Sequence, residues 1–167
     1  MEDYYEEKAI FIFLFVMLYG NVVFGQERER NSISGGIYLL GFFDPGLEIL
    51  ELPGFSLEYE RLLGSKFSIG IEIGTVFFGA SHVEIRGRFY PWSGMFFTGL
   101  GFGAFGYAGA PTGGISPAIF PEFGWKIDIG KRNKWFLLPS IKTMVCFNVR
   151  NRVAVLPTIN LKIGYRF

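Results

Sequence analysis

From residue 54 onward, hydrophobic and polar positions alternate with a period of two, the repeat of a strand with one apolar and one polar face. The last eleven residues show it most cleanly. Ile159, Leu161, Ile163, Tyr165 and Phe167 share one face, and Thr158, Asn160, Lys162, Gly164 and Arg166 the other. Upstream, Phe67, Ile69, Ile71 and Ile73 oppose Ser68, Gly70, Glu72 and Gly74, while Val83, Ile85, Gly87 and Phe89 oppose His82, Glu84, Arg86, Arg88 and Tyr90. Ile119, Phe123, Trp125 and Ile127 oppose Glu122, Gly124, Lys126 and Asp128, and Trp135, Leu137, Ile141 and Val145 oppose Ser140 and Lys142. Glycine and turn clusters divide the chain into eight segments of strand length, 32–42, 54–63, 66–77, 80–90, 95–107, 115–129, 135–147 and 153–167. The first, SISGGIYLLG, has no clean parity.

The charges sort by face. After residue 52 all six acids (Glu58, Glu60, Glu72, Glu84, Glu122, Asp128) fall on the polar face. Six bases join them there: Arg86, Arg88, Lys126, Lys142, Lys162 and Arg166. A charge on the lipid face at mid-bilayer costs about 2 to 4 kcal/mol, so in a membrane barrel these twelve line the interior, six against six. A soluble barrel such as a lipocalin shows the same alternation with its charges facing water. The aromatics near strand ends (Phe67, Trp92, Phe96, Trp135, Tyr165, Phe167) and the terminal aromatic strand favour the membrane. An eight-stranded barrel is just wide enough for side chains to fill, so crossed ion pairs, with Tyr90, Phe105 and Phe120 also inward, are expected to plug it. Neighbouring strands are expected to bring opposite signs together, Glu72 beside the Arg86 and Arg88 column.

The links carry further information. Gly64-Ser65, 91–94 and 130–133 read as tight turns, whereas Phe43 to Pro53 and Ala108 to Gly114 are longer. Short turns on one side and longer loops on the other fit a barrel whose termini and short turns are periplasmic. The longer loops, with Asp44, Glu48 and Glu51, would then face the exterior. Pro117, Pro121, Pro139 and Pro157 each forfeit a ladder hydrogen bond, so bulges or shifted strand ends are expected there.

At the N-terminus, Ala9 to Tyr19 is a continuous apolar run of signal-peptide length, too short for the roughly 20 residues of a membrane helix. Cleavage near Gly25 divides the chain into a signal peptide, 1–25, and a barrel domain, 26–167. Glu2, Asp3, Glu6 and Glu7 outnumber Lys8, the reverse of the usual positive leader, which points to an atypical signal or a downstream start. The leader holds four acids and one base, so eleven acids and fifteen bases remain. That balance, with its bases dispersed, is not one that binds nucleic acid. No later apolar stretch approaches helix-spanning length, although 50% of residues are hydrophobic and 19% aromatic. Cys146 is the sole cysteine, so no disulfide framework or thiolate metal site exists.

Candidate chemistry is sparse, and no cofactor or metal motif is expected. Gly99, Gly101, Gly103 and Gly106 superficially resemble a phosphate-binding glycine run, but no helix pattern follows to present its N-terminus. They read as small inward residues that make room for large neighbours. His82, the only histidine, lies beside Ser81 near the rim. Adjacent strand residues face opposite sides, so Ser81 and His82 cannot pair as nucleophile and base.

From Ser32 to Phe167 the chain resembles the small eight-stranded outer-membrane proteins, the OmpA transmembrane-domain and OmpX-like group. The stretches GFSLEYERLLGSKFSIGIEIG and EIRGRFYPWSGMFFTGLGFGAFGY resemble short spirochaete barrel proteins. The resemblance implies an all-β, eight-stranded antiparallel up-and-down transmembrane barrel, exported to the bacterial outer membrane and monomeric. Its partners would be outer-membrane lipid and the barrel assembly machinery, the latter reading Ile163, Tyr165 and Phe167 in the last strand. It carries no active site, and no periplasmic tether follows Phe167. A non-enzymatic structural or surface role is therefore expected. The alternatives are an enzyme acting on outer-membrane lipid, such as a lipid A deacylase or acyltransferase with His82 as base, and a narrow channel.

Overall fold

A computed structural model describes residues 30–42, 50–76, 79–91, 95–107, 114–130, 132–149 and 152–167. The expected signal peptide, Trp92 and the loop acids Asp44 and Glu48 lie outside the described residues. Nine strands follow in order: β1 (Asn31–Phe42), β2 (Leu50–Leu62), β3 (Phe67–Val76), β4 (Ala80–Phe89), β5 (Phe96–Tyr107), β6 (Gly114–Trp125), β7 (Ile127–Ile129), β8 (Trp135–Val149) and β9 (Arg152–Arg166). Every pairing is antiparallel, and each strand pairs with its sequence neighbour except where Lys126 separates β6 from β7. Both pieces pair with β8 and together form one stave. The sheet closes where β1 pairs with β9, Gly35 opposite Ile163, so the fold is an eight-stranded antiparallel barrel.

Period-two alternation becomes inside and outside. In β3 every second residue is buried, Ser68 through Val76, while Phe67 through Thr75 face out. A single-residue register slip would exchange those faces, which is why the pattern specifies the pairing so strongly. β1 follows the same rule once folded: Ser32, Ser34, Tyr38 and Leu40 point inward and Ile33, Ile37 and Leu39 outward. Its serines and glycine pair obscured that parity.

At one end of the barrel, here the seam end, Asn31 and Phe167 exchange backbone hydrogen bonds of 3.2 and 2.9 Å. The links 63–66, 90–95 and 130–134 lie there. The far end has links 43–49, 77–79, 108–113 and 150–151. Two of those four are as short as any seam-end turn, so link length does not distinguish the ends as the sequence suggested. β2 also begins at Leu50, opposite Phe42, and takes up part of the expected 43–53 loop.

The prolines are accommodated more simply than expected. Pro117, Pro139 and Pro157 keep their places in the ladders opposite Ala104, Leu161 and Thr143. Around Pro121 the β6–β8 pairing is interrupted between Ile119 and Glu122. The register shift in β8–β9 falls instead between Cys146 and Val149.

The interior is layered. At the far end Tyr38, Leu40, Val76, Phe105, Phe120, Met144 and Leu156 form an apolar cluster. Tyr90, Phe97, Phe136 and Leu138 form a second at the seam end. The charges occupy the space between.

Candidate functional site

The middle layer begins with three carboxylates in a row. Glu58 on β2 is directly opposite Glu72 on β3, and Glu72 directly opposite Glu84 on β4. Like charges facing across strands destabilise a sheet unless something intervenes. The intervening cations come from elsewhere. Lys162 on β9 places Nζ 2.8 Å from Glu58 Oε2 and 2.6 Å from Glu72 Oε2. Lys142 on β8 places its Nζ 2.9 Å from Glu72 Oε1 and 3.3 Å from Glu84 Oε1.

Arg86 contacts Glu72 and Glu84 and donates at 2.7 Å to Glu122 Oε2 on β6. Arg88 contacts Glu58 and reaches Glu122 at 2.9 and 3.1 Å. Toward the seam end Lys126 Nζ lies 2.5 Å from Glu60 Oε2, whose other oxygen accepts from Ser68 at 2.5 Å and Tyr90 at 2.6 Å. Ser140 Oγ donates to Glu122 Oε1 at 2.7 Å.

Five acids and five bases thus form one connected, buried and formally neutral network. Asp128 and Arg166 stand apart as a pair at the seam-end rim, 2.5 Å between Oδ1 and the guanidinium, which also donates to the Asn133 carbonyl. Breaking one member of a buried set strands its partner in a poorly solvated place, so complete pairing matters more than the worth of any pair.

The expected contact of Glu72 with Arg86 on the adjacent strand is present, and Glu122 faces Lys142 across β6 and β8, while further salt bridges reach across the barrel. The Glu72–Arg86 contact is diagonal, because Gly70 is directly opposite Arg86 and Ser68 directly opposite Arg88. The missing side chains create room. A Cβ on Gly99 would lie 3.0 Å from Arg88 Cγ, and one on Gly101 would lie 2.9 Å from Glu84 Oε2. The β5 glycines are what lets long Arg and Glu side chains lie across the lumen.

Aromatic faces line the two boundaries of the charged layer. Arg88 lies 4.5 Å from the Phe97 centroid and Lys126 4.3 Å from that of Phe136 at the seam end. At the far end Lys142 lies 5.6 Å from the Phe120 centroid. Such contacts let an ammonium or guanidinium meet an apolar layer without an abrupt loss of stabilisation.

His82 is not at the rim. It is 4% exposed, beneath the far-end cluster, with ring centroids 5.6 Å from Tyr38 and 5.7 Å from Phe120. Ser81 faces outward. His82 Nε2 lies 3.3 Å from Glu72 Oε1 and 3.4 Å from Lys142 Nζ, while Nδ1 finds no partner among the described residues. Glu72, His82 and Glu84 bring one ligand atom each within 4.8 Å, a set that could hold a metal ion. The Lys142 ammonium stands against all three and supplies the positive charge itself.

Of the last-strand residues, Ile163 and Phe167 face outward, 52% and 55% exposed, and Tyr165 is half-buried against Trp135 with centroids 5.1 Å apart. The cross-lumen reach of Lys162 and Lys142 and the two apolar layers were not read from the sequence. The inward parity of Tyr38, Phe97, Phe136 and Met144 near strand ends is the signal that could have shown the layers.

No protein-family model and no curated protein sequence matches the chain. Solved structures do. The attachment invasion locus protein Ail of Yersinia pestis matches with a TM-score of 0.59 at 15% identity, over 84% of this chain and all of that one. Neisserial surface protein A matches with a TM-score of 0.62 at 6% identity, over 85% of this chain and all of that one. The N-terminal β-barrel domain of Pseudomonas aeruginosa OprF matches with a TM-score of 0.53 at 8% identity, over 83% and all of it. At such identities the likeness is one of architecture, and the architecture of this chain is that of the small eight-stranded outer-membrane β-barrels.

Proposed function

We propose that the chain is an integral protein of a bacterial outer membrane, with a non-enzymatic structural or surface-interaction role and an interior closed by ion pairs. The observation that carries this reading is the distribution of polarity across the wall. Ile71, Ile85, Phe102 and Leu161 on four different strands are 46%, 59%, 60% and 49% exposed, while the charged network lies inside. An apolar exterior running round a barrel far exceeds the patches that water-soluble proteins tolerate, and lipid is the solvent it suits. Closure leaves no free edge, which supports a monomer.

The apolar layers on both sides of the charges support a closed interior rather than a channel. The burial of His82 beneath Tyr38 and Phe120 supports the non-enzymatic reading over lipid-modifying chemistry, which would need access from the membrane. Ile163, Tyr165 and Phe167, on the lipid side of β9, are the residues proposed to meet the assembly machinery.

Fractionation and gel mobility test the location together. The protein should resist carbonate extraction, and after detergent refolding it should migrate differently with and without heating. Recovery in the soluble fraction without detergent, or a refolded form with a helical spectrum, would overturn the reading.

A further inference from the structure

Among the described side chains the exposed charges lie at one end. Only four charged residues among them are exposed, Arg30, Arg61, Lys66 and Arg132, and all four are basic. Each lies at the seam end. Arg61 pairs with Asn31 at the end of the β1–β2 ladder, and the Arg30 carbonyl accepts from Leu62 N at 2.7 Å. Lys66 is in the β2–β3 turn. Arg132 is in the turn before β8, where Gly130 (φ 80°) and Asn133 (φ 51°) set the bend. Since β8, β9, β1, β2 and β3 are consecutive staves, the four bases mark out one arc of the rim.

Aromatic rings lie on the outer wall just inside that arc. Trp135 packs edge-on against Tyr165, and Phe67 lies 4.9 Å from Phe89 between centroids. Rings of this kind settle at the level of lipid headgroups. A base just beyond them stands at the height of the phosphates.

We propose that this arc binds the headgroups of anionic phospholipids in the leaflet around the seam end. The proposal rests on the membrane reading above, and it adds a lipid preference that a barrel with an uncharged rim would lack. Charge complementarity carries it: four cations, no exposed anion among the described side chains, and apolar rings to seat the acyl chains beside them. Among the described residues the acid of that rim is Asp128, and it is already engaged by Arg166.

The test uses the full refolded chain in phosphatidylcholine vesicles, with spin-labelled phosphatidylglycerol or phosphatidylcholine as the reporter of boundary lipid. Phosphatidylglycerol should be preferred by about fivefold at a boundary position served by one base. The preference should shrink in salt, because exposed charges are screened. It should vanish in the quadruple variant Arg30→Gln, Arg61→Gln, Lys66→Gln, Arg132→Gln. None of these residues belongs to the buried network, so the variant should still show heat-modifiable mobility. Equal association of the two lipids with an inserted wild-type barrel, or a preference unchanged in the variant, overturns the lipid proposal alone. Failure of the wild type to insert at all overturns it together with the membrane reading.

Discussion

Glu72 and Glu84 face each other directly across β3 and β4, and of the two cations that touch both, Arg86 comes from β4 itself and Lys142 arrives from β8. Arg86 and Arg88 offset part of the repulsion within β2–β4, and the closed barrel supplies the remaining cations. Four measurements follow from arrangements of this kind.

Arg86 touches Glu58, Glu72, Glu84 and Glu122 from one position. Arg86→Ala should destabilise the refolded barrel by about 3 to 5 kcal/mol, the range for an orphaned buried charge. Ile85→Ala, one residue away on the outer face, should cost far less because it removes only lipid-facing contacts. Urea titration of both variants, followed by gel mobility, measures the difference. Equal losses would mean that the faces are wrongly assigned.

Backbone approach is tightest at two glycines. A Cβ on Gly36 would strike the Leu161 carbonyl and Lys162 Cα, and one on Gly103 the Val83 carbonyl and Glu84 Cα. Gly36→Ala and Gly103→Ala should each cost about 1 to 3 kcal/mol or more through overpacking. Gly87→Ala, whose Cβ would meet nothing nearer than the Ser68 carbonyl at 3.8 Å, should refold normally. Refolding yield in detergent is the comparison.

Lys142 stands where Glu72, His82 and Glu84 could otherwise hold a divalent cation. Lys142→Ala should destabilise the protein, and zinc added during refolding should restore part of the loss, since a ligand bound only by the folded state stabilises it by mass action. Wild-type stability should not respond to zinc. A variant equally indifferent would show that the three side chains cannot converge on a metal.

His82→Ala should leave the lipid composition of expressing cells unchanged, as read by mass spectrometry of extracted lipid A. A change in acylation that depends on His82 would reinstate the enzymatic alternative.

Strand positions and faces were legible because a two-residue period needs only local information. Glu72 had to share a face with Ile71's opposite, whatever the rest of the chain did. Of its partners Arg86, on the next strand, was legible, and Lys142 and Lys162 were not. A rule for adjacent strands pairs Glu72 with Glu58 and Glu84, whereas the reach of Lys162 and Lys142 depends on a curvature and stagger that appear only on closure. His82 was misplaced for a related reason. Proximity to a strand end reads as a rim, but Tyr38, Phe105 and Phe120 extend the covered interior beyond it. The weak parity of β1 came from Gly35 and Gly36, where no side chain reports a face.

Lys162 lies 104 residues from Glu58 and 90 from Glu72 along the chain. The β2–β4 acids therefore wait for the last strand before their charge is balanced. An open sheet with these carboxylates already dehydrated would be high in energy, so water must remain among them until β9 docks on β1. Drying of the lumen is therefore expected to follow closure, with β9 as the latch that permits it. A strand docked two residues out of step would still present an apolar face to lipid but would carry Lys162 away from both acids, leaving the lumen wet. The ion pairs thereby distinguish the correct closure from its nearest competitors, which the apolar exterior alone cannot do.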